Sequence, residues 1–120
     1  MQRFTDLKVW QRSHAITLDL YRLTATFPDA ERFGLTSQIR RAATSVPSNI
    51  AEGSKRTTRK DYARFLNVAE GSAAELEYLM ILAKDLGLIA PNRSDKLCEE
   101  IQEIARMLFA FRKKVESTRS

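Results

Sequence analysis

The sequence predicts an all-α protein that folds as an antiparallel, up-down-up-down four-helix bundle. Four segments place apolar residues three and four positions apart, which is the period of one face of an α-helix. Proline, glycine and asparagine mark the breaks between them, and no segment alternates apolar and polar residues as a strand would. Four helices joined by short loops pack most simply with neighbouring helices antiparallel.

The first helix is expected from about Asp6 to Phe27. Pro28 ends it, because proline disfavours helical geometry in the residue before it, and a polar loop containing Gly34 follows. The apolar positions are spaced by four and three if Ser13 fills one of them. They are Val9, Ile16, Leu20, Leu23 and Phe27.

The second helix is expected to begin near Thr36 and to stop at Gly53. Pro47 lies inside it and has no backbone N–H, which predicts a kink there. The apolar face consists of Ile39, Ala43, Val46 and Ile50.

The third helix is expected to follow an N-cap at Thr57 or Thr58. Asp61, three residues after Thr58, has the spacing of a capping box. Gly71, together with Ala69 and Ala73, predicts a position where small side chains allow another helix to pack closely. The apolar stripe is Tyr62, Leu66, Ala69, Ala73, Leu76, Met80 and Ala83.

The fourth helix is expected after the turn that Gly87 and Pro91 bracket. Asn92 is a candidate N-cap, with Asp95 three residues on. The apolar stripe is Leu97, Ile101, Ile104, Leu108, Phe111 and Val115.

Length and composition predict one soluble globular domain over residues 1–120. Hydrophobic residues make up 43% of the chain and charged residues 29%, which is a globular balance. The single cysteine, Cys98, cannot form an internal disulfide, and the N-terminus lacks the apolar run of a secretory signal, so we expect a cytoplasmic protein. No segment approaches the roughly 20 apolar residues that cross a bilayer, so no membrane association is expected.

The net charge of +5 is concentrated between Ser37 and Arg64. This segment holds seven basic residues against Glu52 and Asp61, whereas the rest of the chain is neutral overall. Such a cluster predicts binding to the phosphates of RNA or DNA, through shape and backbone contacts without base readout. The basic residues are Arg40, Arg41, Lys55, Arg56, Arg59, Lys60 and Arg64.

Two other interpretations of the charge remain open. The basic residues can simply form a solvated end that keeps the domain soluble. The protein can also be an interaction scaffold without any nucleic-acid role, in which aromatic residues form interfaces. Trp10, Tyr21 and Tyr78 are the candidates for such contacts.

The sequence predicts neither an enzyme nor a metal or cofactor site. One histidine and one cysteine cannot complete a structural zinc site, and no glycine-rich phosphate loop or nucleophile with a partner base is recognisable. We interpret His14 as a packed or boundary residue beside the first apolar stripe. Cys98 is interpreted as a small buried or half-buried hydrophobic residue.

Polar residues near the apolar faces of the second and third helices allow two arrangements. Asn49, Glu52, Ser72 and Glu75 can meet between the helices as a polar network that fixes their register. Alternatively, Glu52 and Glu75 are solvated.

Five blocks of sequence match the pattern of a known protein family. The blocks are Phe4-Thr5-Asp6-Leu7-Lys8-Val9-Trp10-Gln11, Phe27-Pro28, Gly34-Leu35-Thr36-Ser37-Gln38-Ile39-Arg40-Arg41-Ala42, Ser45-Val46-Pro47-Ser48-Asn49-Ile50-Ala51-Glu52-Gly53 and Ala69-Glu70-Gly71-Ser72-Ala73-Ala74-Glu75-Leu76. They resemble the four-helix-bundle family named for proteins encoded in intervening sequences of 23S rRNA genes. The resemblance runs from Phe4 to about Leu88, and the Asn-Ile-Ala-Glu-Gly block is its most specific part.

The resemblance implies a homopentamer around a central channel, in a family without an assigned activity. It also implies a relation to the accessory variability proteins of diversity-generating retroelements, whose basic surfaces are thought to bind nucleic acid and a reverse transcriptase. By position, the implied nucleic-acid contacts are Arg40, Arg41, Lys55, Arg56, Arg59 and Lys60. The implied structural signature is Asn49, Glu52, Gly53, Ser72 and Glu75.

Overall fold

The structure is a computed structural model that describes residues 3–117, and the regular structure within this range is helical throughout. The prediction of an all-α protein with four helices is confirmed. The limits of the predicted domain, residues 1 and 120, lie outside the described range. None of the four helices between residues 3 and 117 is long and apolar enough to cross a bilayer. The helices are α1 (Lys8–Thr24), α2 (Leu35–Gly53), α3 (Arg59–Asp85) and α4 (Pro91–Ser117), with single 3-10 turns at Phe4–Asp6 and Asp29–Glu31.

Helix α1 is shorter at both ends than the sequence predicts. Its start is delayed by the 3-10 turn at Phe4–Asp6. At the other end, the amide of Thr26 donates to the carbonyl of Leu23 and that of Phe27 to the carbonyl of Thr24. The last turn therefore has the hydrogen-bond pattern of a 3-10 helix, in which each amide bonds three residues back. Phe27 is still buried, so the apolar stripe extends beyond the regular helix.

Helix α2 agrees with its predicted limits to within one residue and continues through Pro47. The missing N–H of Pro47 deprives the carbonyl of Ala43 of its intrahelical donor. The hydroxyl of Thr17 in α1 lies 3.2 Å from this oxygen and donates to it. A side chain from the neighbouring helix therefore satisfies the freed carbonyl, and the kink at Pro47 stays a prediction.

Helix α3 begins as predicted after an N-cap at Thr58, whose hydroxyl accepts a hydrogen bond from the amide of Asp61 at 3.1 Å. The N-cap predicted at Asn92 is wrong, because α4 already includes Pro91. Proline suits the first position of a helix, where its missing N–H costs no bond. The side-chain oxygen of Asn92 instead accepts from the amide of Arg93 at 2.9 Å.

The core lies along contacts of α2 with α3, α3 with α4, and α1 with both α2 and α4. The predicted stripes supply it, and Ser13 fills its position with a fully buried side chain whose hydroxyl donates to the carbonyl of Trp10 at 2.9 Å. Fully buried apolar residues come from every helix, and include Leu20, Ile39, Ile50, Leu66, Met80, Ile101 and Leu108. The molecule is a rod of 49 × 23 × 20 Å.

The close approach between helices occurs at Gly53 and not at Gly71. A Cβ on Gly53 would lie 2.9 Å from Cβ of Phe65 and 2.9 Å from Cδ1 of Tyr62. Gly71 is exposed, and a Cβ there would meet nothing within 4 Å. The prediction for Gly71 fails because two residues turn a helix by about 200°, which places it opposite the buried Ala69.

Candidate nucleic-acid interface

Five basic side chains are exposed around the turn from α2 to α3, and we call them the end cluster. One acidic residue, Asp61, lies among them and accepts a hydrogen bond from Nε of Arg64 at 3.1 Å. The cluster thus keeps most of its positive charge uncompensated at one end of the rod. Its members are Lys55, Arg56, Arg59, Lys60 and Arg64.

The end cluster is held on a short, tightly bonded turn. The amide of Lys55 donates to the carbonyl of Glu52 at 3.1 Å, and that of Arg56 to Gly53 at 3.0 Å. Thr58 then caps α3. Because Gly53 has no Cβ, α3 packs directly against the end of α2, which brings the basic residues on both sides of the turn together.

Phe65 orders two of the arginines, a role that the charge pattern did not indicate. Its half-buried ring has the guanidinium of Arg56 at 4.8 Å and that of Arg64 at 4.7 Å from the ring centroid. Exposed cation–π contacts of this kind stabilise by about 0.5–1 kcal/mol each. The ring of Phe65 therefore holds both cations in place.

Beside the end cluster, Arg112 of α4 is paired with two carboxylates, Glu70 of α3 and Glu116 of α4, so this ion group carries one net negative charge. Arg112 lines a cleft of about 350 Å³ together with Arg59 and Lys60. Its guanidinium donates to Glu70 at 3.3 Å and to Glu116 at 3.0 Å. These hydrogen bonds, first that to Glu70, raise the pKa of Arg112 above the ordinary arginine value. Arg112 is therefore committed to structure and adds no free cation to the cluster.

Arg40 and Arg41 do not belong to the end cluster, so the seven predicted basic residues form two groups. Arg40 is half-buried between α1 and α2, where Nε donates to the hydroxyl of Thr24 at 2.8 Å and Nη2 to the carbonyl of Tyr21 at 3.1 Å. Its guanidinium also lies 4.6 Å from the centroid of the Tyr21 ring. The separation has a simple cause: thirteen residues of helix from Arg40 to Gly53 span about 20 Å.

A second cleft, of about 620 Å³, lies beside α1 and α2 and extends along α2 from Thr36 to Ser48, and we call it the arginine cleft. It contains three arginines, five hydroxyl side chains and two aromatic residues, and no acidic residue lines it. Arg32 and Phe33 were missed from the sequence, because they lie in the loop where no periodicity applies. The lining residues are Tyr21, Arg32, Phe33, Thr36, Ser37, Arg40, Arg41, Thr44, Ser45 and Ser48.

Of the implied signature residues, Asn49 and Ser72 meet through Ser45. The hydroxyls of Ser45 and Ser72 lie 2.7 Å apart, and Nδ2 of Asn49 donates to the carbonyl and the hydroxyl of Ser45 at 2.8 and 3.0 Å. Glu52 and Glu75 are exposed and outside this network. The Ser45 link was missed, although its four-residue spacing from Asn49 is a visible signal.

His14 and Cys98 show no reactive arrangement. His14 is exposed rather than packed in the core, and its ring stacks on Trp10 with centroids 4.9 Å apart. Cys98 is half-buried as expected, and burial together with the charge of Glu77 raises the pKa of its thiol. Within residues 3–117, no three histidine, cysteine or acidic side chains are grouped to hold a metal ion.

The fold is similar to that of a solved structure from Bacteroides thetaiotaomicron VPI-5482, described as a protein with unknown function from the S23 ribosomal protein family. The TM-score is 0.81 at 25% sequence identity, and the match covers 88% of this chain and 95% of that one. No curated protein gives a match. The family model for the 23S rRNA-intervening sequence protein matches residues 5–110. Because this match spans most of the sequence, the chain belongs to the family of 23S rRNA-intervening sequence proteins.

Proposed function

We propose that this protein is a non-enzymatic accessory module that binds the phosphate backbone of RNA or DNA. The observation that carries the proposal is the end cluster, in which five exposed basic residues outnumber the two neighbouring carboxylates, Asp61 and Glu116, the second of which lines the adjoining cleft. Lysine and arginine side chains bind nucleic acid by displacing the counterions condensed on its phosphates. Contacts of this type do not depend on base sequence, so we expect binding without sequence preference.

The position of the end cluster also supports backbone binding. The turn between α3 and α4 lies about 40 Å away, at the far end of α3. Charges there are mixed, since Arg93 and Lys96 have Asp85 and Asp95 as neighbours in the chain. The positive potential is therefore strongest at one end of the rod, where a polyanion meets several cations at once.

We further propose that the helices run up-down-up-down. Two side-chain contacts between α3 and α4 support an antiparallel arrangement of these helices, because the higher residue number on α3 is paired with the lower one on α4. Glu77 accepts a hydrogen bond from Gln102 at 2.8 Å, whereas Lys84, further along α3, lies 3.9 Å from Asp95.

Assembly as a homopentamer is part of the same proposal. Exposed apolar side chains on α3, namely Val68, Tyr78 and Ile81, offer a surface for a second copy. The number of five subunits comes from the family resemblance. A ring of subunits would repeat the end cluster and multiply its potential.

The proposal is tested by fluorescence anisotropy with labelled RNA and DNA over a range of salt concentrations. With four or five phosphate contacts, affinity should fall about 100-fold between 50 and 200 mM salt. Charge reversal at two members of the end cluster, R56E with R59E, should abolish binding. The matched control is R93E with K96E, which makes the same change in net charge at the other end of the rod.

The two variants separate a site from a general charge effect. Loss of binding in the end-cluster variant alone supports the proposal. Equal loss in both variants would show that only net charge matters, and an absence of binding at low salt would exclude a nucleic-acid role altogether.

A protein-interaction scaffold is the second candidate, because of a largely apolar groove of about 480 Å³ between α1 and α2. The groove includes Trp10, Leu18 and Pro47, and Tyr21 at its edge is 43% exposed. Partners such as a reverse transcriptase remain a prediction from the resemblance. Co-purification of a defined partner that survives nuclease and high salt, and that Leu18→Glu abolishes, would favour this function.

A further inference from the structure

Phe33 is the most exposed large hydrophobic side chain that the structure describes, with 89% of its surface accessible. It lies two residues before the start of α2, with the guanidinium of Arg32 5.4 Å from its ring centroid. A side chain so exposed contributes little to the core. Aromatic rings presented in this way, next to cations, are the platforms on which unpaired bases stack.

The three arginines of the arginine cleft differ in how firmly their side chains are held, and Arg40 is held by hydrogen bonds. Two of its nitrogens are held by Thr24 and Tyr21, whereas Nη1 has no hydrogen-bond partner among the described residues. Arg41 and Arg32 are exposed on the rim. A guanidinium held on one side and free on the other can bind a phosphate oxygen without losing much side-chain freedom.

Hydroxyl side chains complete the floor of the cleft. Thr36, Thr44 and Ser48 occur at multiples of four residues and therefore share one face of α2, over about 18 Å of helix. The volume of about 620 Å³ is typical of sites for ligands of nucleotide size. Three arginines without a lining carboxylate favour an anionic ligand.

We infer that the arginine cleft binds a single-stranded segment of RNA or DNA, with a base stacked on Phe33 and the adjoining phosphates on Arg40 and Arg41. This inference rests on the proposed function, and it names the class of nucleic acid that the protein prefers. In a duplex the faces of the bases are covered by their neighbours, so a stacking platform acts only on unpaired bases.

The arginine cleft ends close, along α2, to the turn that carries the end cluster. Ser48, at the lower limit of the cleft, is five residues before Gly53, which is about 8 Å along the axis of α2. The end cluster then supplies affinity through the backbone, and the arginine cleft supplies the preference for single strands.

Three labelled probes, used at one salt concentration, test whether the arginine cleft supplies the preference for single strands. They are a single strand of about 12 nucleotides, its duplex, and an abasic strand of the same length and charge. Phe33→Ala should weaken binding of the base-containing single strand by about 5- to 150-fold, which corresponds to one stacked base. Binding of the duplex and the abasic strand should change by less than about twofold, the range of a neutral surface substitution.

Two further variants complete the set. Arg41→Gln should weaken both single-stranded probes, because it removes a phosphate contact. Leu86→Ala is the control, since Leu86 is 58% exposed and does not line the arginine cleft. It should leave all three affinities unchanged.

The outcomes separate this inference from the proposed function. If R56E with R59E weakens every probe while Phe33→Ala weakens none, the inference fails and backbone binding stands. If no probe binds at low salt, both fail. A change in assembly mass by light scattering, with Phe33→Ala weakening all probes alike, would make Phe33 a subunit contact. Displacement of the strand by a mononucleotide at equal concentration would assign the cleft to a free nucleotide. Either of these last results would overturn the inference.

Discussion

The hydroxyl of Thr17 donates to the carbonyl of Ala43 across the interface of α1 and α2, at the point where Pro47 has removed that carbonyl's own donor. The same hydroxyl lies 2.7 Å from the carbonyl of Ser13, so its hydrogen is shared between two acceptors. Proline inside a helix ordinarily destabilises it by about 3 kcal/mol. Here part of that cost is offset by a bond that also fixes the two helices in register.

Thr17→Val should therefore lower the free energy of unfolding by about 1–2 kcal/mol. The substitution keeps the volume but leaves the buried carbonyl of Ala43 without a donor. The measurement is chemical denaturation at constant protein concentration. In a Pro47→Ala background the restored amide supplies the bond, so Thr17→Val should then cost less.

Thr44→Val is the control, because the exposed Thr44 bonds only within its own helix, to the carbonyl of Arg40 at 2.6 Å. It should change stability by less than about 0.5 kcal/mol. An equal cost of Thr17→Val with and without Pro47 would contradict the linkage between the two helices.

Gly53→Ala and Gly71→Ala should have opposite effects on thermal stability. Alanine is favoured over glycine in a helix by about 1 kcal/mol, which Gly71→Ala should gain in full because the new methyl meets nothing. At Gly53 the methyl would press on Cβ of Phe65, which cannot move without its backbone, and overpacking costs about 1–3 kcal/mol. We expect a net loss of about 1 kcal/mol.

Melting temperatures measured by circular dichroism check the pair. A stabilising Gly53→Ala would contradict the close approach of α2 and α3. If Gly71→Ala lowers the melting temperature at high protein concentration but not at low concentration, another subunit covers this face of α3.

The four helices could be predicted because each carries a long stripe with an unbroken period. The wrong predictions of helix limits lie at the ends of α1 and at the start of α4. At a helix end, alternative hydrogen-bond patterns differ little in free energy, so the sequence pattern does not select one of them. Asn92 has the chemistry of an N-cap, yet Pro91 begins the helix one residue earlier. Gly71 was predicted to lie at a helix contact because Ala69 and Ala73 are close to it in sequence. The rotation of the helix places Gly71 on the face opposite these two residues.

The end cluster could be predicted because its members are neighbours in the chain and a short turn keeps them together. The arginine cleft could not, since Arg40 was assigned to the same group although about two thirds of α2 separates it from the turn. Phe33 gave no signal, because a lone aromatic in a loop is as compatible with burial as with exposure. Its exposed position depends on how α1 and α2 pack.

Glu70→Gln should destabilise the protein far more than Glu116→Gln. Glu70 and Arg112 keep 18% and 15% side-chain exposure, so a lost carboxylate leaves a half-buried cation with a weaker partner. We expect a loss of about 2 kcal/mol, less than for a fully buried pair. Glu116 is 41% exposed, and its loss should cost less than about 0.5 kcal/mol.

Urea denaturation at neutral pH measures this difference, with Glu103→Gln as a control for an exposed ion pair to Arg106. The raised pKa of Arg112 means that its stabilising charge is present at every pH below the ordinary arginine value. Arg112 should therefore cause no change of stability with pH in the neutral range. Equal effects of Glu70→Gln and Glu116→Gln would contradict the assignment of Glu70 as the principal partner.

Cys98 should react slowly with thiol reagents in the folded protein. Burial, with the nearby charge of Glu77, raises the pKa of this thiol, so less of the reactive thiolate is present at any given pH. The rate of modification should be several-fold below that of the same protein unfolded in guanidinium, and its midpoint in a pH titration should lie above the ordinary thiol value. A folded-state midpoint at or below that value would show that Cys98 is stabilised as a thiolate and would reopen the possibility of chemistry on α4.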